Sequence, residues 1–382
     1  MTNRLFDFDG YCLSFTAKVL ECEAQEDGFA VVLDATAFAP EGGGQRSDIG
    51  FLDGVEVVDA WMRDGVIYHR TKTPLAVGKI VLGQVDRARR IRHIQNHTGE
   101  HIVSGLFHNH YGFNNVGFHL GSEDVTLDLD GTVDESMLRA IEREANEIVV
   151  SNVAVQVAYP DAETLASLSY RAKLDLTEDV RIVTIEGVDA CACCAPHVNR
   201  TGEIGMIKLI SAMRYKGGTR IHMKCGFDAL EEFNAEYARA VAISNRISLP
   251  RERIAEGVDK LWQDLADANF RLVGLKREII AIKAEAAQET DGNLLFMEKD
   301  MDAGELRLLV SAAGHKAGRA CAAFCEDGRG AYSFVATYVG QDFDAWRASL
   351  TEALQAHGGG KAPFLQGKAN CTEQEIRRFF AD

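Results

Sequence analysis

The chain lacks long hydrophobic runs and is short of basic residues. Its 382 residues include 41 Lys and Arg against 57 Asp and Glu, which gives a formal net charge of -16. No uninterrupted apolar stretch is long enough to cross a bilayer, and no basic start followed by an apolar run marks a secretion signal. The acidic balance argues against a general nucleic-acid binder, whose affinity for phosphates comes from clustered Lys and Arg. We therefore expect a cytoplasmic protein without membrane contact.

The remaining composition is that of a globular protein with several domains. Hydrophobic residues make up 46% and charged residues 26% of a chain long enough for two or three domains. It has nine cysteines and no secretion signal. In a reducing compartment such cysteines are thiols or metal ligands rather than a disulfide framework.

Two short spacings of metal-ligand type lie far apart in the chain, H-T-G-E-H at 97–101 and C-C-A-P-H at 193–197. Together they offer His97, His101, Cys193 and His197, a ligand set that suits tetrahedral zinc. A helix predicted over 86–107 turns both histidines toward its apolar face, and the second pair lies on a loop between predicted strands. Either pair alone is also explained by a buried histidine or cysteine, but both together favour a zinc site.

Periodicity predicts an α+β chain in four parts. Short alternating strands without intervening helices predict a small β-barrel first. The predicted parts are the β-barrel at 1–90, an α/β domain with the zinc site at 91–228, a long helical coiled-coil hairpin at 229–290 and an α/β module at 291–382. The apolar seam of the hairpin alternates spacings of three and four from Ile254 to Ala286. In the last part we expect strands at 306–310 and 333–338.

Glycine runs occur at two places. Gly42, Gly43 and Gly44 lie between predicted strands, and a second glycine-rich loop is predicted at 357–361. Consecutive glycines have no side chains, which fits either a flexible hairpin loop or a place where a ligand approaches the backbone closely. The sequence does not decide between these two interpretations. A phosphate cradle is one interpretation of the second run.

The H-T-G-E-H segment also fits the H-x-x-E-H pattern of a class of zinc peptidases. In that class Glu100 is the general base and a downstream glutamate is the third ligand. The Cys193 and His197 pair has no role there. A zinc peptidase therefore stays an alternative.

Four motifs together resemble the editing domain of alanyl-tRNA synthetase. They are T-A-F-A-P-E-G-G-G-Q at 36–45, the two histidines, the C-x-x-x-H pair with T-G-E-I-G after it, and a K-G-x-x-R-like element with Lys216 and Arg220. With the coiled coil and glycine-rich end, the chain resembles the long form of the AlaX family, the free-standing version of that editing domain. It departs from the family pattern at Ala39 and at Cys194 to Pro196. These differences leave the ligands intact but affect the shape of the amino-acid pocket.

The resemblance implies zinc-dependent hydrolysis of the ester that joins serine or glycine to alanine tRNA. It implies that His97, His101, Cys193 and His197 hold the ion, either to activate water and the carbonyl or to position the substrate. We expect Thr36 to recognise the serine hydroxyl, with Gln45 nearby, and Glu100 to assist proton transfer.

Binding of tRNA needs a local basic surface despite the acidic total. The candidates are the run of Arg87, Arg89, Arg90 and Arg92, the pair Lys216 and Arg220, and Lys361 with Lys368. A solvated helix face is the plainer interpretation of the arginine run. A non-catalytic tRNA-binding protein with structural zinc is the second alternative, and we expect a homodimer through the coiled coil or the last part.

Overall fold

The structure is a computed structural model that describes residues 2–121, 125–172, 180–328 and 330–381. The chain divides into two compact units, Met1–Ala242 and Ile243–Asp382. Helices and sheets occur in both, so the expected mixture of α and β structure is confirmed. The finer four-part division stays a prediction. Within the described ranges, no helix combines the length and the apolar character that a membrane span requires.

The first unit begins with a ring of strands. The strands are β1 (Asn3–Arg4), β2 (Ser14–Gln25), β3 (Gly28–Leu33), β4 (Ala35–Thr36), β5 (Gly50–Leu52), β6 (Val55–Arg63), β7 (Val66–Thr71) and β8 (Ile80–Val85). Six of them form a closed barrel in the order β2-β3-β7-β6-β5-β8, with β8 paired to β2. Val19, Val31 and Val57 belong to its buried core. Because successive side chains of a strand alternate between faces, this part of the sequence has a period of two.

A long helix, α1 (Arg87–Tyr111), follows the barrel directly. Asp86 caps it by accepting a hydrogen bond from the Arg89 amide at 2.7 Å, as the sequence predicts. Gly112 ends it in the left-handed conformation with φ of 70°. The helix therefore extends beyond its predicted end at Phe107, and most of its middle is buried.

The other elements of the first unit pack around α1. They are β9 (Asn115–Leu120), β10 (Val125–Leu129), α2 (Glu135–Ser151), β11 (Val155–Ala158), α3 (Ala162–Ser167), β12 (Ile182–Ile185), β13 (Asp189–Ala192), β14 (Ile207–Tyr215) and β15 (Gly218–Cys225). The sheet orders are β14-β15-β10-β9 and β11-β12-β13. One core joins Ile102 and Phe107 of α1 to Leu127, Ile221 and, on α2, Leu138.

Helix α4 (Gly226–Ile247) spans the division between the units, and the second unit contains the remaining elements. They are α5 (Ile254–Ala286), β16 (Leu294–Glu298), α6 (Ala303–Ala313), β17 (Ala320–Glu326), β18 (Tyr332–Tyr338), α7 (Phe343–Ala353), β19 (Ala356–Gly359), β20 (Phe364–Ala369) and α8 (Glu373–Phe379). The sheet order is β16-β17-β18-β20-β19. The strand predicted at 333–338 is confirmed as β18.

Two predictions for the second unit are wrong. Residues 306–310 form part of α6 rather than a strand. Asp302 and Glu305 make a reciprocal capping box at the start of that helix, and a short apolar run fits either structure by pattern alone. The loop predicted at 357–361 is wrong for its first three residues, which belong to β19; a Cβ on Gly358 would lie 2.1 Å from the Gln366 carbonyl oxygen.

The seam predicted for the helical hairpin is exposed. Leu261, Leu265, Leu272, Leu275 and Ile279 of α5 all present their side chains to solvent. Both helices exist, but a seam that closes within one chain is not what the structure shows. The coiled coil stays a prediction.

The contact between α1 and β15 gives a test of the packing. A Cβ on Gly99 would lie 2.3 Å from the Cys225 sulfur. Gly99→Ala gains about 1 kcal/mol of helix propensity, but overpacking typically costs about 1–3 kcal/mol. We expect a lower free energy of unfolding in chemical denaturation. Adding Cys225→Ala should restore part of the loss, and a Gly99→Ala variant more stable than the wild type would contradict this packing.

Candidate metal centre and substrate site

Helix α1 carries the first pair of ligand candidates into the interior. His97 and His101 lie one turn apart on the same face, and each is only 3% exposed. Thr98 between them is fully buried and donates a hydrogen bond to the Ile94 carbonyl at 2.7 Å. The inward direction predicted for both histidines agrees with their burial.

The second pair lies on the loop that follows β13. Arg181, which is almost fully buried, donates from Nη1 to the carbonyls of Cys193 and Ala195, both at 2.8 Å. Its own carbonyl accepts from the Cys193 amide at 3.0 Å. Arg181 also donates to the Asp7 carbonyl from Nη2 at 2.7 Å. The buried guanidinium of Arg181 therefore fixes the backbone of the ligand loop. No spacing in the sequence indicates this role of Arg181.

The two pairs meet. The ligand atoms of His97, His101, Cys193 and His197 all lie within 4.8 Å of one another. Cys193 Sγ is 3.5 Å from His97 Nε2 and 3.4 Å from His197 Nε2. Tetrahedral zinc with its usual bond lengths separates sulfur and nitrogen ligands by about 3.6 Å. The donor set and its spacing therefore fit one tetrahedral ion.

Each imidazole is held through its other nitrogen. His97 Nδ1 is 2.8 Å from Gln45 Oε1, His101 Nδ1 is 2.9 Å from Asp189 Oδ2, and His197 Nδ1 is 3.0 Å from Thr98 Oγ1. The Thr98 hydroxyl gives its own proton to Ile94, so it accepts from His197. All three partners are acceptors, which places a proton on each Nδ1 and turns each Nε2 toward the shared point. Such outer hydrogen bonds fix tautomer and orientation at metal sites.

The charges of the group are strongly coupled. Burial raises the pKa of the Cys193 thiol, but His97, His197 and His101 outweigh burial and hold the pKa well below its ordinary value. Burial lowers the pKa of His197 to about 3. Burial also acts to lower the pKa of His101, but Asp189 and Cys193 raise it well above normal. A thiolate among histidines is the chemical form that binds a metal ion.

Arg171 completes the support behind His101. It donates to both Asp189 oxygens, from Nε at 2.7 Å and from Nη2 at 2.9 Å, and to Ser104 Oγ at 2.8 Å. His101, Asp189 and Cys191 also lie close enough to share an ion. Because Arg171 and His101 already occupy the Asp189 carboxylate, the four-residue group is the better site. No spacing or motif in the sequence identifies Arg171 or Asp189 as partners of the ligand group.

The first glycine loop borders this centre. Gly42 and Gln45 exchange backbone hydrogen bonds across a turn, and Gly44 has φ of 85°. A Cβ on Gly44 would lie 2.1 Å from the Phe118 carbonyl oxygen, while one on Gly43 would lie 4.0 Å from His97 Cε1. The loop therefore needs glycine to lie against β9, and its exposed backbone faces the metal centre.

Two expected site residues have other partners. Thr36 is fully buried; its Oγ1 is 2.7 Å from His69 Nε2 and accepts from the Phe38 amide at 3.1 Å. Glu100 is buried, and its Oε1 accepts from Asn115 Nδ2 at 2.7 Å. Among the described residues, neither group of potential ligands contains a glutamate, which the peptidase alternative requires.

One predicted phosphate contact is wrong. Arg90 is completely buried and forms an ion pair with the buried carboxylate of Asp48. It also donates to the Gly10 carbonyl at 2.9 Å and to the Ala37 carbonyl at 2.5 Å. No RNA phosphate can reach this side chain. Four arginines within six residues of a helix necessarily point to different faces, and only the structure shows which face is buried.

The other basic candidates differ in accessibility. Arg87 is exposed at the start of α1, and Lys216 is exposed at the turn between β14 and β15. Arg220 pairs with both oxygens of Asp128, at 2.7 and 2.8 Å, and stacks on the Tyr215 ring at 3.7 Å. Its charge is thus largely compensated. Contact of these residues with tRNA stays a prediction.

Comparison with known proteins agrees with this geometry. The family described as Threonyl and Alanyl tRNA synthetase second additional domain matches residues 180–222, which include Cys193 and His197. The alanyl-tRNA editing protein Aarsd1 of Rattus norvegicus is 26% identical over 382 residues, covering 94% of this chain and 92% of its own. AlaX-L of Pyrococcus horikoshii is 29% identical over 300 residues, covering 75% and 73%. Over most of its length the chain is similar to these alanyl-tRNA editing proteins.

The relation to full synthetases is partial. The alanine–tRNA ligase of Halobacterium salinarum is 33% identical over 335 residues, which cover 81% of this chain but only 36% of the ligase. The chain therefore spans about a third of the length of this ligase. The region similar to the ligase covers 81% of this chain and so includes the four candidate ligands.

Asp189 provides a test of the metal centre. Asp189→Asn keeps the shape but removes the charge that holds His101, and outer partners of this kind typically contribute about 10–100-fold to metal affinity. We expect zinc affinity, measured by competition with a chromogenic chelator, to fall by about that factor. Asp64→Asn, at a highly exposed carboxylate, is the matched control. Unchanged affinity in Asp189→Asn would show that Asp189 does not support the ligands.

Proposed function

We propose that the protein hydrolyses the ester that joins serine or glycine to the terminal ribose of mischarged alanine tRNA. The observation that carries this proposal is the convergence of three Nε2 atoms and one thiolate on a single point beside an open glycine loop. The printed names of Aarsd1 and AlaX-L support the substrate class, since these relatives match most of the chain.

We propose zinc as the ion of this centre, because three imidazoles and a thiolate at these separations suit tetrahedral zinc best. When bound, zinc supplies a Lewis acid that polarises a carbonyl or acidifies a water molecule. His97, His101, Cys193 and His197 hold it, and Gln45, Asp189 and Thr98 orient the imidazoles. In the net reaction water adds a hydroxyl to the ester carbonyl carbon, the bond to the ribose oxygen breaks, and that oxygen gains a proton. Glu100 is our candidate for assisting this proton transfer.

A second site for small amino acids has a clear physical purpose. A pocket that accepts alanine cannot exclude glycine by size, and it rejects the added hydroxyl of serine only weakly. A separate hydrolytic site selects serine positively if it offers a partner for that hydroxyl. Thr36 is our candidate. Its proton is directed to His69, whose ring nitrogen Nδ1 faces the Val31 carbonyl at 3.0 Å, so the Thr36 oxygen serves as an acceptor.

Replacement of Thr36 by the isosteric Val tests this role. We expect kcat/KM for seryl-tRNA to fall by about 10-fold or more, as for the loss of one buried hydrogen bond, while kcat/KM for glycyl-tRNA changes little. Parallel deacylation assays on both substrates give the ratio. An equal loss on both would make Thr36 a structural residue of the barrel.

We also propose a homodimer through α5. The heptad seam is regular, and its leucines are exposed in the single chain. Pairing with a second copy would bury these side chains, whereas a monomer leaves them in water.

The decisive assay is release of labelled serine from seryl-tRNA of the alanine type by zinc-loaded protein. We expect rapid release by the wild type, sparing of correctly alanylated tRNA, and a loss of at least about 100-fold in Cys193→Ala, since a metal ligand is removed. Cys194→Ala, at the exposed neighbouring cysteine, is the matched control. If the zinc-loaded wild type released neither serine from seryl-tRNA nor glycine from glycyl-tRNA, the proposed function would be overturned.

A further inference from the structure

A groove with a volume of about 630 Å³ opens in the first unit beside the metal centre. It is lined by Arg46 after the glycine loop, the first turns of α1, Leu120 at the end of β9 and Phe227 at the start of α4. Its volume lies in the range of about 300–1,000 Å³ that is usual for ligand sites. None of the four metal ligands lines it.

Three backbone connections place the groove next to the ligands. His93 lines it and lies one helical turn before His97 on the same face of α1. Arg46 directly follows Gln45, which holds the His97 ring. The Leu120 amide donates to the Gly44 carbonyl at 2.8 Å. The groove therefore borders the elements that carry and orient His97.

The groove carries positive charge that the described residues do not neutralise. Arg46 and Arg87 are exposed, and no hydrogen bond or ion pair of their side chains occurs among the described residues. Arg89 donates Nε to the Ser47 carbonyl at 2.9 Å. Arg92 is compensated by Asp228 at 2.7 Å. The start of α1 adds its helix dipole, which favours anions.

Acidic groups reach the groove at only two further places among the described residues. Asp86 is engaged as the N-cap of α1, and Glu231 lies exposed on the α4 side. Four lining arginines stand against three lining carboxylates, those of Asp86, Asp228 and Glu231, so the lining keeps one net positive charge. The acidic total of the chain is therefore no argument against an anion here.

The groove also has an aromatic wall and an unsatisfied polar floor. Phe227 is 64% exposed at its edge. His93 is 2% exposed, and its Nδ1 has no hydrogen-bond partner among the described residues; the nearest charged atom is Asp48 Oδ1 at 3.8 Å. Unpaired arginines with an exposed aromatic ring are the combination that binds single-stranded nucleic acid, through phosphates and a stacked base.

We propose that this groove holds the single-stranded 3′ end of the RNA, with a backbone phosphate on Arg46 and Arg87 and a base stacked on Phe227. This inference rests on the proposed function. An aminoacyl ester is carried by the terminal ribose, and the nearest phosphate is attached to the other side of the same sugar. With the ester at the metal centre, that phosphate points toward the neighbouring groove.

Binding of RNA without an ester tests the groove apart from hydrolysis. The probe is a 5′-labelled single-stranded RNA tetranucleotide that ends in CCA, titrated with the full chain by fluorescence anisotropy at several salt concentrations. The variants are the pair Arg46→Ala with Arg87→Ala, the charge-preserving pair of Lys replacements, and Phe227→Ala. Arg63→Ala, at an exposed arginine on the barrel, is the matched control.

We expect the Ala pair to weaken binding by about 10-fold and to reduce the salt slope by about 0.7, since both arginines contact the same phosphate and each phosphate contact on single strands contributes about 0.7. The Lys pair should recover most of the affinity. Phe227→Ala should weaken binding by about 5-fold or more at an unchanged salt slope. Equal binding by the Ala pair and the wild type, or an equal loss in Arg63→Ala, would overturn the groove as the RNA site. If the variants changed RNA binding as expected but the wild type hydrolysed neither mischarged tRNA, the proposed function would be overturned and the groove would stand as an RNA site.

Discussion

The buried ion pair between Arg90 and Asp48 is the interaction on which the site depends. The guanidinium ties α1 to the Ala37 carbonyl on one side and to the Gly10 carbonyl on the other. Asp48 in turn accepts from the Ala39 amide at 2.8 Å. Gly10 is packed so closely on the ligand loop that a Cβ would lie 2.3 Å from the His197 carbonyl oxygen. Barrel, helix and ligand loop are therefore aligned through one fully buried charge, which is tolerable only because nearly all of its hydrogen-bonding groups are satisfied.

Buried hydrogen-bond and charge partners also determine the protonation states at the metal centre. Imidazoles in a dry interior lose their protons readily, and a thiol there keeps its own. The Asp189 carboxylate, held by Arg171, opposes the first tendency at His101, while the surrounding histidines oppose the second at Cys193. The raised pKa of His101 and the lowered pKa of Cys193 together favour a protonated imidazole beside a thiolate. The outer partners thus decide both the direction of each ring and the charge of the centre.

Sequence reasoning identified the residues with strong local signals. The i and i+4 histidines of α1 and the spacing from Cys193 to His197 suggest metal binding because ligands need fixed short separations. The outer partners could not be found in this way. Arg171, Asp189 and Arg181 act through contacts distant in sequence, and their types occur throughout the surface of any protein. The error at α6 has a related cause, since a five-residue apolar run carries no period long enough to separate helix from strand. Arg90 was predicted to contact phosphate like the neighbouring arginines, because a run of charged residues does not show which side chain points into the core.

Helix α1 gives the metal centre and the groove a common frame. His93, His97 and His101 repeat every fourth residue, so one face of a rigid helix passes from the groove to the buried ligands. A change in the rotation or register of α1 would move both places together, and the distance between them would remain that of about one helical turn. A fixed separation of this size suits a substrate whose reactive bond and nearest charge lie on opposite sides of one sugar. Arg87 is at the exposed start of the helix, where phosphate remains accessible, and His97 and His101 are in its buried middle. With RNA in the groove, as proposed, α1 would separate the attraction of phosphate from the chemistry at the ligands, and this local arrangement is compatible with a net charge of -16.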